Sequence, residues 1–286
     1  MRKIVVDNKF KNKKLQAFLQ FNFTGLSSSV FFKALRKKDI KVNGKRTSEN
    51  IVVYENDIIE IYLDDKFLFN NLELNIIYED DNIIIVDKPV NIEVLENSSH
   101  NLTSLIQDKY SFNNGFPYPC HRLDRNTTGL ILYAKNKEAL DILNYKIENH
   151  EIIKLYKCTV IGILNKKENT LTDYLFKDSK KSMVYISSTH QQGYRKIITS
   201  YKVISENKKD NLSVLEVRLH TGRTHQIRSH LAYIGHPILG DGKYGINEIN
   251  KKFNKKTQEL IAYKLIFNFK TDAGILNYLN SKEFKL

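Results

Sequence analysis

The apolar positions change period along the chain, and each change marks an element. Leu15, Phe18 and Leu19 recur at helical spacing. Ser27 to Ser29 offer an N-cap to a second helix in VFFKALRKK, where a hydroxyl oxygen accepts from an otherwise unpaired N–H. IKVNGKR then sets Asn43-Gly44 between two short extended pieces, and both residue types tolerate positive φ, which predicts a tight hairpin. VVYENDIIEIYL follows as a β-rich run, and residues 64–75, DDKFLFNNLELN, have no clear period and read as a linker. From Ile76 the texture changes. IIYEDDNIIIVDKP reads as two apolar strands about an acidic turn, stopped at Lys88-Pro89. LTSLIQDKY predicts a helix, and PCHRLDRNTTGLILYAKN a polar loop closing at Gly129 before the buried strand LILYA. KEALDILNYKIENH is an amphipathic helix with Leu140, Leu143 and Ile147 on its apolar face. IIKLYKCTVIGIL and the runs at 194–204 and 212–220 read as further strands. HTGRTHQIRSHLAYIGHPILGDGKYG gives a turn, a helix from about Thr224 and a glycine-rich loop. Strands outnumber helices without regular alternation, which predicts an α+β fold over a doubly wound sheet.

Composition narrows this picture. A chain of 286 residues with 41% hydrophobic and 27% charged positions can bury a core, which excludes wholesale disorder. The expected division is a small basic unit over 1–63, the linker 64–75, and a larger unit over 76–286. No stretch approaches ~18 uninterrupted apolar residues, so no spanning helix is predicted. The basic N-terminus carries no apolar run of signal-peptide length. Two cysteines, Cys120 and Cys158, are too few for a disulfide framework or a four-cysteine zinc site, and the reducing cytoplasm is the expected compartment. Charge is the informative quantity. Residues 1–46 hold thirteen Lys or Arg against Asp7 and Asp39, a net +11 of the chain's +13, leaving +2 for the other 240 residues. Such a concentration points to a polyanionic partner, with nucleic acid first.

Two constellations carry candidate chemistry. In His121-Arg122-Leu123-Asp124-Arg125, two arginines flank a carboxylate in a loop before a strand, which favours its ionised form. That carboxylate could be a nucleophile, a weak base, an electrostatic stabiliser or half of a structural ion pair. In His220-Thr221-Gly222-Arg223-Thr224-His225-Gln226-Ile227-Arg228, a turn, donors and a helix start coincide, which suits phosphate or carboxylate binding. Arg223 and Arg228 are five apart and would not share a helix face. Spacings of five, five and six among His220, His225, His230 and His236 do not match a helical zinc pair, so capping and core hydrogen bonds are their expected roles and no metal is predicted. Cys120 reads as a buried, inert thiol, and Gly240-Asp241-Gly242 alone is a weak signal. No Walker loop, dinucleotide fingerprint or serine elbow occurs.

At these residues the chain resembles a known family. HRLDRNTTGLILYAK, KLYKCTVIG and LHTGRTHQIRSHLAYIGHPILGDGKYG look like three signature blocks of the RluA-type pseudouridine synthases, over about residues 76–246. Residues 13–63 resemble the small RNA-binding domain named after ribosomal protein S-four, whose turn and second helix face RNA. The resemblance implies a pseudouridine synthase fold with a mainly antiparallel mixed sheet, preceded by a small α+β RNA-binding domain. It implies isomerisation of uridines in structured RNA, ribosomal RNA before transfer RNA, without a cofactor or an obligatory protein partner, by a monomer. Residue by residue, Asp124 matches the essential aspartate, Arg228 the basic residue paired with it, and Tyr156 the tyrosine packed on the target uracil. Arg122 matches an arginine associated with the flipped nucleotide; His121, Arg223 and Gln226 in the same blocks are expected to bind substrate. In the small domain, Lys33, Arg36, Lys37, Lys38, Lys41, Asn43, Lys45 and Arg46 are the expected RNA contacts. The chain departs from the family pattern in VNIEVLENSSH after Pro89 and in its C-terminal tail, which bears on RNA choice rather than on the four matched residues. The competing readings are a non-catalytic ribosome-assembly factor on a degenerate synthase fold, and a basic structural or DNA-associated protein.

Overall fold

A computed structural model describes residues 1–23, 25–68, 74–95, 101–110 and 115–286. Cα packing divides the chain into two units, one of Met1–Glu73 with Glu96–Leu105 and one of Leu74–Leu95 with Ile106–Leu286.

The first unit opens with strands β1 (Arg2–Val5) and β2 (Lys13–Lys14) and helices α1 (Leu15–Asn22) and α2 (Ser28–Lys37). Ser27 caps α2, its hydroxyl accepting from the Val30 amide at 3.3 Å. Strands β3 (Ile40–Val42) and β4 (Lys45–Arg46) form the expected hairpin, with Asn43 and Gly44 at φ 50° and 77°. β5 (Val52–Val53) pairs with β2, and β6 (Ile58–Ile61) lies between β1 and β3. Phe18, Leu19, Phe31, Leu35, Ile40 and Ile59 form the core. The structure differs from the expected linker at 64–75. A short helix, α3 (Asp65–Leu68), falls inside it, Leu68 is buried in this core, and its carbonyl accepts from the Gly25 amide. Residues 69–73 of that stretch lie outside the described residues.

The second unit is a long sheet with helices packed on it. In chain order come β7 (Asn75–Glu79), β8 (Ile83–Lys88), α4 (Leu102–Tyr110, which begins in the first unit), β9 (Tyr118–Pro119), β10 (Thr128–Ala134), α5 (Lys137–Glu148) and β11 (Ile152–Ile161). Then follow β12 (Glu168–Asp178), β13 (Met183–Ser187), β14 (Arg195–Asn207), β15 (Leu212–Leu219), α6 (Gln226–Tyr233), α7 (Asn247–Lys252), β16 (Leu260–Phe267) and β17 (Glu283–Lys285). The strand order is β13-β12-β14-β15-β11-β16-β10-β8-β7, with β17 beside β16 and β9 beside β10. Among the described residues, pairing is antiparallel except for one parallel seam, where Thr128 and Gly129 of β10 meet Ile261 and Ala262 of β16. A Cβ on Gly129 would stand 2.3 Å from the Ala262 carbonyl oxygen, so only glycine fits there.

The apolar pattern located most strands because their buried faces are apolar. It missed β12 and β13, where Leu175 and Val184 are the buried apolar residues and the remaining positions are at least partly solvated. The expected apolar face of α5 does pack on the core, with Leu143 buried and Leu140 and Ile147 partly buried against it. Ala139 and, unexpectedly for a charged side chain, Lys146 are buried beside them. Lys146 is accommodated because Nζ donates to Glu151 Oε2 at 2.8 Å and to Thr271 O and Oγ1 at 2.6 Å each.

Candidate active site

The loop between β9 and β10 carries Asp124, and several bonds fix its course. Cys120 N–H donates to Leu132 O at 2.9 Å, Leu123 is buried, and Gln258 Nε2 donates to Thr127 Oγ1 at 2.6 Å. Lys88, at the end of β8, is wholly buried and donates to three backbone carbonyls at 2.8–2.9 Å: Pro89, Ile92 and, within the loop, Arg125. Burial lowers the Lys88 pKa to about 7, with Asp124 and Glu93 opposing the shift. Three carbonyl acceptors use all three hydrogens of an ammonium, so the geometry favours the charged form.

Asp124 lies in a cavity of about 970 Å³ that also exposes Arg122, His121, Lys154, Tyr156, Arg223 and His225. Its partner is Arg228, on α6, whose Nη1 donates to Asp124 Oδ2 at 2.9 Å. The rest of that guanidinium is committed to Asp241, Nε to Oδ2 at 2.7 Å and Nη2 to Oδ1 at 2.9 Å. Burial opposes the charge of both groups, but their mutual bonding outweighs it. Arg228 is held above its ordinary pKa and Asp241 below its own. Backbone N–H groups of Lys243 and Tyr244 donate to Asp241 Oδ1 as well. The carboxylate is thus paired with an arginine 104 residues away, one gripped in the bidentate manner that fixes a guanidinium plane.

Tyr156 on β11 is 5% exposed and lines the same cavity. The β11–β16 register shifts between Leu155 and Tyr156, leaving Tyr263 as the extra residue, and such bulges re-aim neighbouring side chains. Burial, reinforced by the Asp124 charge, pushes the Tyr156 phenol up, so it stays protonated at neutral pH. Lys154, two residues earlier on the same strand face, also lines the cavity, and burial lowers it to about 8.

The remaining expected residues divide. Arg122 and Arg223 are exposed at the cavity, and Arg122 makes no hydrogen bond or ion pair among the described residues. His121 lines the cavity, but its Nε2 accepts from the Leu132 amide at 3.2 Å. Burial holds the ring neutral, which leaves its proton on Nδ1, an atom with no partner among the described residues. Gln226 is corrected. It is 2% exposed and absent from the cavity wall, its Oε1 accepting from Thr221 Oγ1 and Arg223 N and its Nε2 donating to Ile198 O and Thr199 Oγ1. It shapes the turn that presents Arg223. The same turn delays α6 to Gln226, because His225 takes the left-handed conformation at φ 54°.

In the first unit, Lys33, Arg36, Lys37, Lys38, Lys45 and Arg46 are exposed, and Lys41 is half-buried over the Tyr62 ring. Asn43 is exposed at the turn. Its amide donates to Asp57 and accepts from the Ile58 amide, both at 2.8 Å, which braces the hairpin.

Sequence reasoning missed Asp241, Tyr244 and His225 as parts of the site, although GDGKYG and THQIR lie within quoted blocks. The other histidines bond within the fold: His220 to Ser200, His230 to Thr199 and Asp173, His236 to Ile161 O. Among the described residues, no group of three or more His, Cys, Asp or Glu is arranged to hold a metal ion, and no helix is long and apolar enough to cross a membrane.

Comparisons with known proteins converge on this region. The model of a family described as RNA pseudouridylate synthase matches residues 82–233. An uncharacterized RNA pseudouridine synthase of Mycoplasma capricolum is 33% identical over 99% of this chain and 96% of its own. Ribosomal large subunit pseudouridine synthase C of Rickettsia bellii is 32% identical over 93% of this chain and 96% of its own. The solved structure of human RNA Pseudouridylate Synthase Domain Containing 1 superposes with a TM-score of 0.58 at 23% identity, over 70% of this chain and 80% of that one.

Proposed function

The chain belongs to the RNA pseudouridylate synthase family and is an RNA pseudouridine synthase, an isomerase, and we propose that it converts specific uridines of structured RNA, ribosomal before transfer RNA. The name of the Rickettsia relative supports the ribosomal target, as does the net +11 of residues 1–46. One observation carries the assignment of roles: Arg228 grips Asp241 with two nitrogens and gives its third to Asp124, inside a cavity walled by Tyr156.

The reaction breaks the bond from uracil N1 to the sugar, turns the base and joins carbon-5 to the same sugar carbon. Carbon-5 loses a proton and N1 gains one, so no oxidant, group donor or cofactor enters the balance. A base within folded RNA must first be extruded, at a cost of a few kcal/mol. Arg122, exposed and unpaired, suits the vacated stack. Arg223 supplies donors for the nucleotide, and Tyr156 a face for the uracil, with His121 in the cavity wall. Asp124 acts as a carboxylate, either attacking the anomeric carbon or taking the 2′ proton, and Arg228 holds and aims it. A protonated Tyr156 is a platform and a poor base for the carbon-5 proton.

The first unit serves in this reading as an RNA anchor of the S-four type, with α2 and the β3–β4 turn toward phosphates and Lys33, Arg36, Lys37, Lys38, Lys41, Lys45 and Arg46 as its cations. The enzyme acts as a monomer in the cytoplasm. Uridine tritiated at carbon-5 tests the activity: cognate ribosomal RNA should release tritium, and none released rejects the target. Asp124→Asn should abolish release and leave RNA affinity within a few-fold; an active variant removes Asp124 from the reaction.

A further inference from the structure

Tyr244 contacts three groups gathered on the α6 side of Asp124: Asp241, Arg228 and His225. Its backbone N–H donates to Asp241 Oδ1 at 3.1 Å, and the Arg228 guanidinium lies 5.3 Å from its ring centroid. Its hydroxyl is 2.9 Å from His225 Nδ1, and the two rings meet edge to face at 5.6 Å. The remaining imidazole nitrogen, Nε2, faces Asp124 Oδ2 at 4.0 Å. His225 reaches this position from a left-handed backbone at φ 54°, an uncommon conformation that persists where the surroundings over-determine it.

The hydrogen bonds around the hydroxyl favour one placement of the protons. Val184 on β13 donates its N–H to the Tyr244 oxygen at 3.0 Å. The phenolic hydrogen finds an acceptor among the described residues only if it points to Nδ1 of His225, an arrangement in which Nδ1 carries no proton. Burial keeps the imidazole neutral, lowering it to about 4 against the pull of Asp124, and pushes Tyr244 up to about 12, so neither group changes charge near neutral pH. The single imidazole proton is left on Nε2.

We infer that Tyr244 is a positioning residue that locks His225 as a neutral Nε2–H donor directed at the Asp124 carboxylate. At 4.0 Å the donor is too far to be spent on Asp124 in the free enzyme. It is available to an oxygen of the nucleoside brought against that carboxylate, whether a ribose hydroxyl or a uracil carbonyl. The inference rests on the reading of Asp124 as the reacting carboxylate. The proton location itself does not depend on that reading.

The test has two parts. With histidine labelled by 15N, the RNA-free enzyme should show a proton on Nε2 of His225 and none on Nδ1, the resonance being assigned by its loss in His225→Gln. Tyr244→Phe, which keeps the ring against Arg228, should yield mixed tautomers and lower kcat about ten-fold with KM within two-fold. His225→Gln, which retains an amide donor, should keep more activity than His225→Leu. A proton on Nδ1 in the wild type, or Tyr244→Phe with wild-type kcat, overturns the inference while leaving Asp124 in place. Activity in Asp124→Asn instead overturns the reading beneath it.

Discussion

On α2 of the first unit, Lys33, Arg36 and Lys37 stand in solvent with no hydrogen bond or ion pair among the described residues. In the second unit Lys88, Lys146 and Arg228 are buried, and each makes three or more hydrogen bonds. The contrast separates two uses of positive charge. An exposed cation contributes little to folding and is screened within ~8 Å at physiological salt, but it remains available to a polyanion. A buried cation is costly to desolvate, by several kcal/mol, and is tolerated only when its donors are met. The first kind attracts RNA without dictating geometry. The second dictates geometry, and in this chain it orders the loop and helix that meet at Asp124.

The contrast can be broken most forcefully at Arg228. A lysine there cannot grip Asp241 with two nitrogens and still reach Asp124. Arg228→Lys should therefore lower kcat about 1,000-fold with KM within a few-fold, read by tritium release. A large KM change with kcat preserved would move Arg228 into the RNA-binding class. Next is the Lys146–Glu151 pair. The Lys146 ammonium, helped by the Lys270 and Thr271 amides against the cost of burial, holds the Glu151 carboxyl down to about 2. A carboxyl lowered in the fold contributes stability that is complete above its unfolded pKa, near 4.3, and is lost as pH falls toward about 2. Glu151→Gln should cost about 3 kcal/mol at pH 7 in urea unfolding, and its decline with acid should be shallower than the wild type's. Parallel curves for the two proteins would contradict the role of the pair. The smallest effect belongs to the exposed cations. Replacing Lys33, Arg36 and Lys37 with Gln should flatten the slope of log affinity against log salt by about 2, with kcat unchanged. An unaltered slope would deny α2 its contact with phosphate.

Legibility in the sequence followed the range of the interaction. The helix at Leu15–Asn22, the Ser27 cap and the Asn43-Gly44 hairpin depend on neighbours within a few residues, and all could be read from period and residue type. Asp124 and Arg228 were legible as parts of blocks. The bidentate hold of Asp241 on Arg228 was not, because it joins a helix to a loop 13 residues later. Lys88 and Lys146 were hidden by the opposite fault: charged side chains read as surface unless their acceptors are known, and those acceptors are mostly backbone carbonyls. Gln226 looked free for a ligand because sequence shows a polar group without showing that its hydrogen bonds are already taken. The strand β12 escaped because a half-solvated strand rich in Thr, Asp and Asn has the composition of a loop.

The parallel seam between β10 and β16 has a consequence for how molecules of this enzyme lose competence. Asp124 precedes β10, on one side of the seam, while Tyr156, Arg228 and Asp241 come from the chain on the other. Among the described residues two pairs register across it, backed by the Gln258–Thr127 hydrogen bond and by a core that Leu130 and Leu132 share with Leu265 and Phe267. A transient parting of these two strands would separate the carboxylate from its arginine while the antiparallel ladders on either side stayed paired. Amide exchange near Gly129 and Ala262 would then measure the fraction of folded molecules that are momentarily inert, a census of idle enzyme taken without substrate.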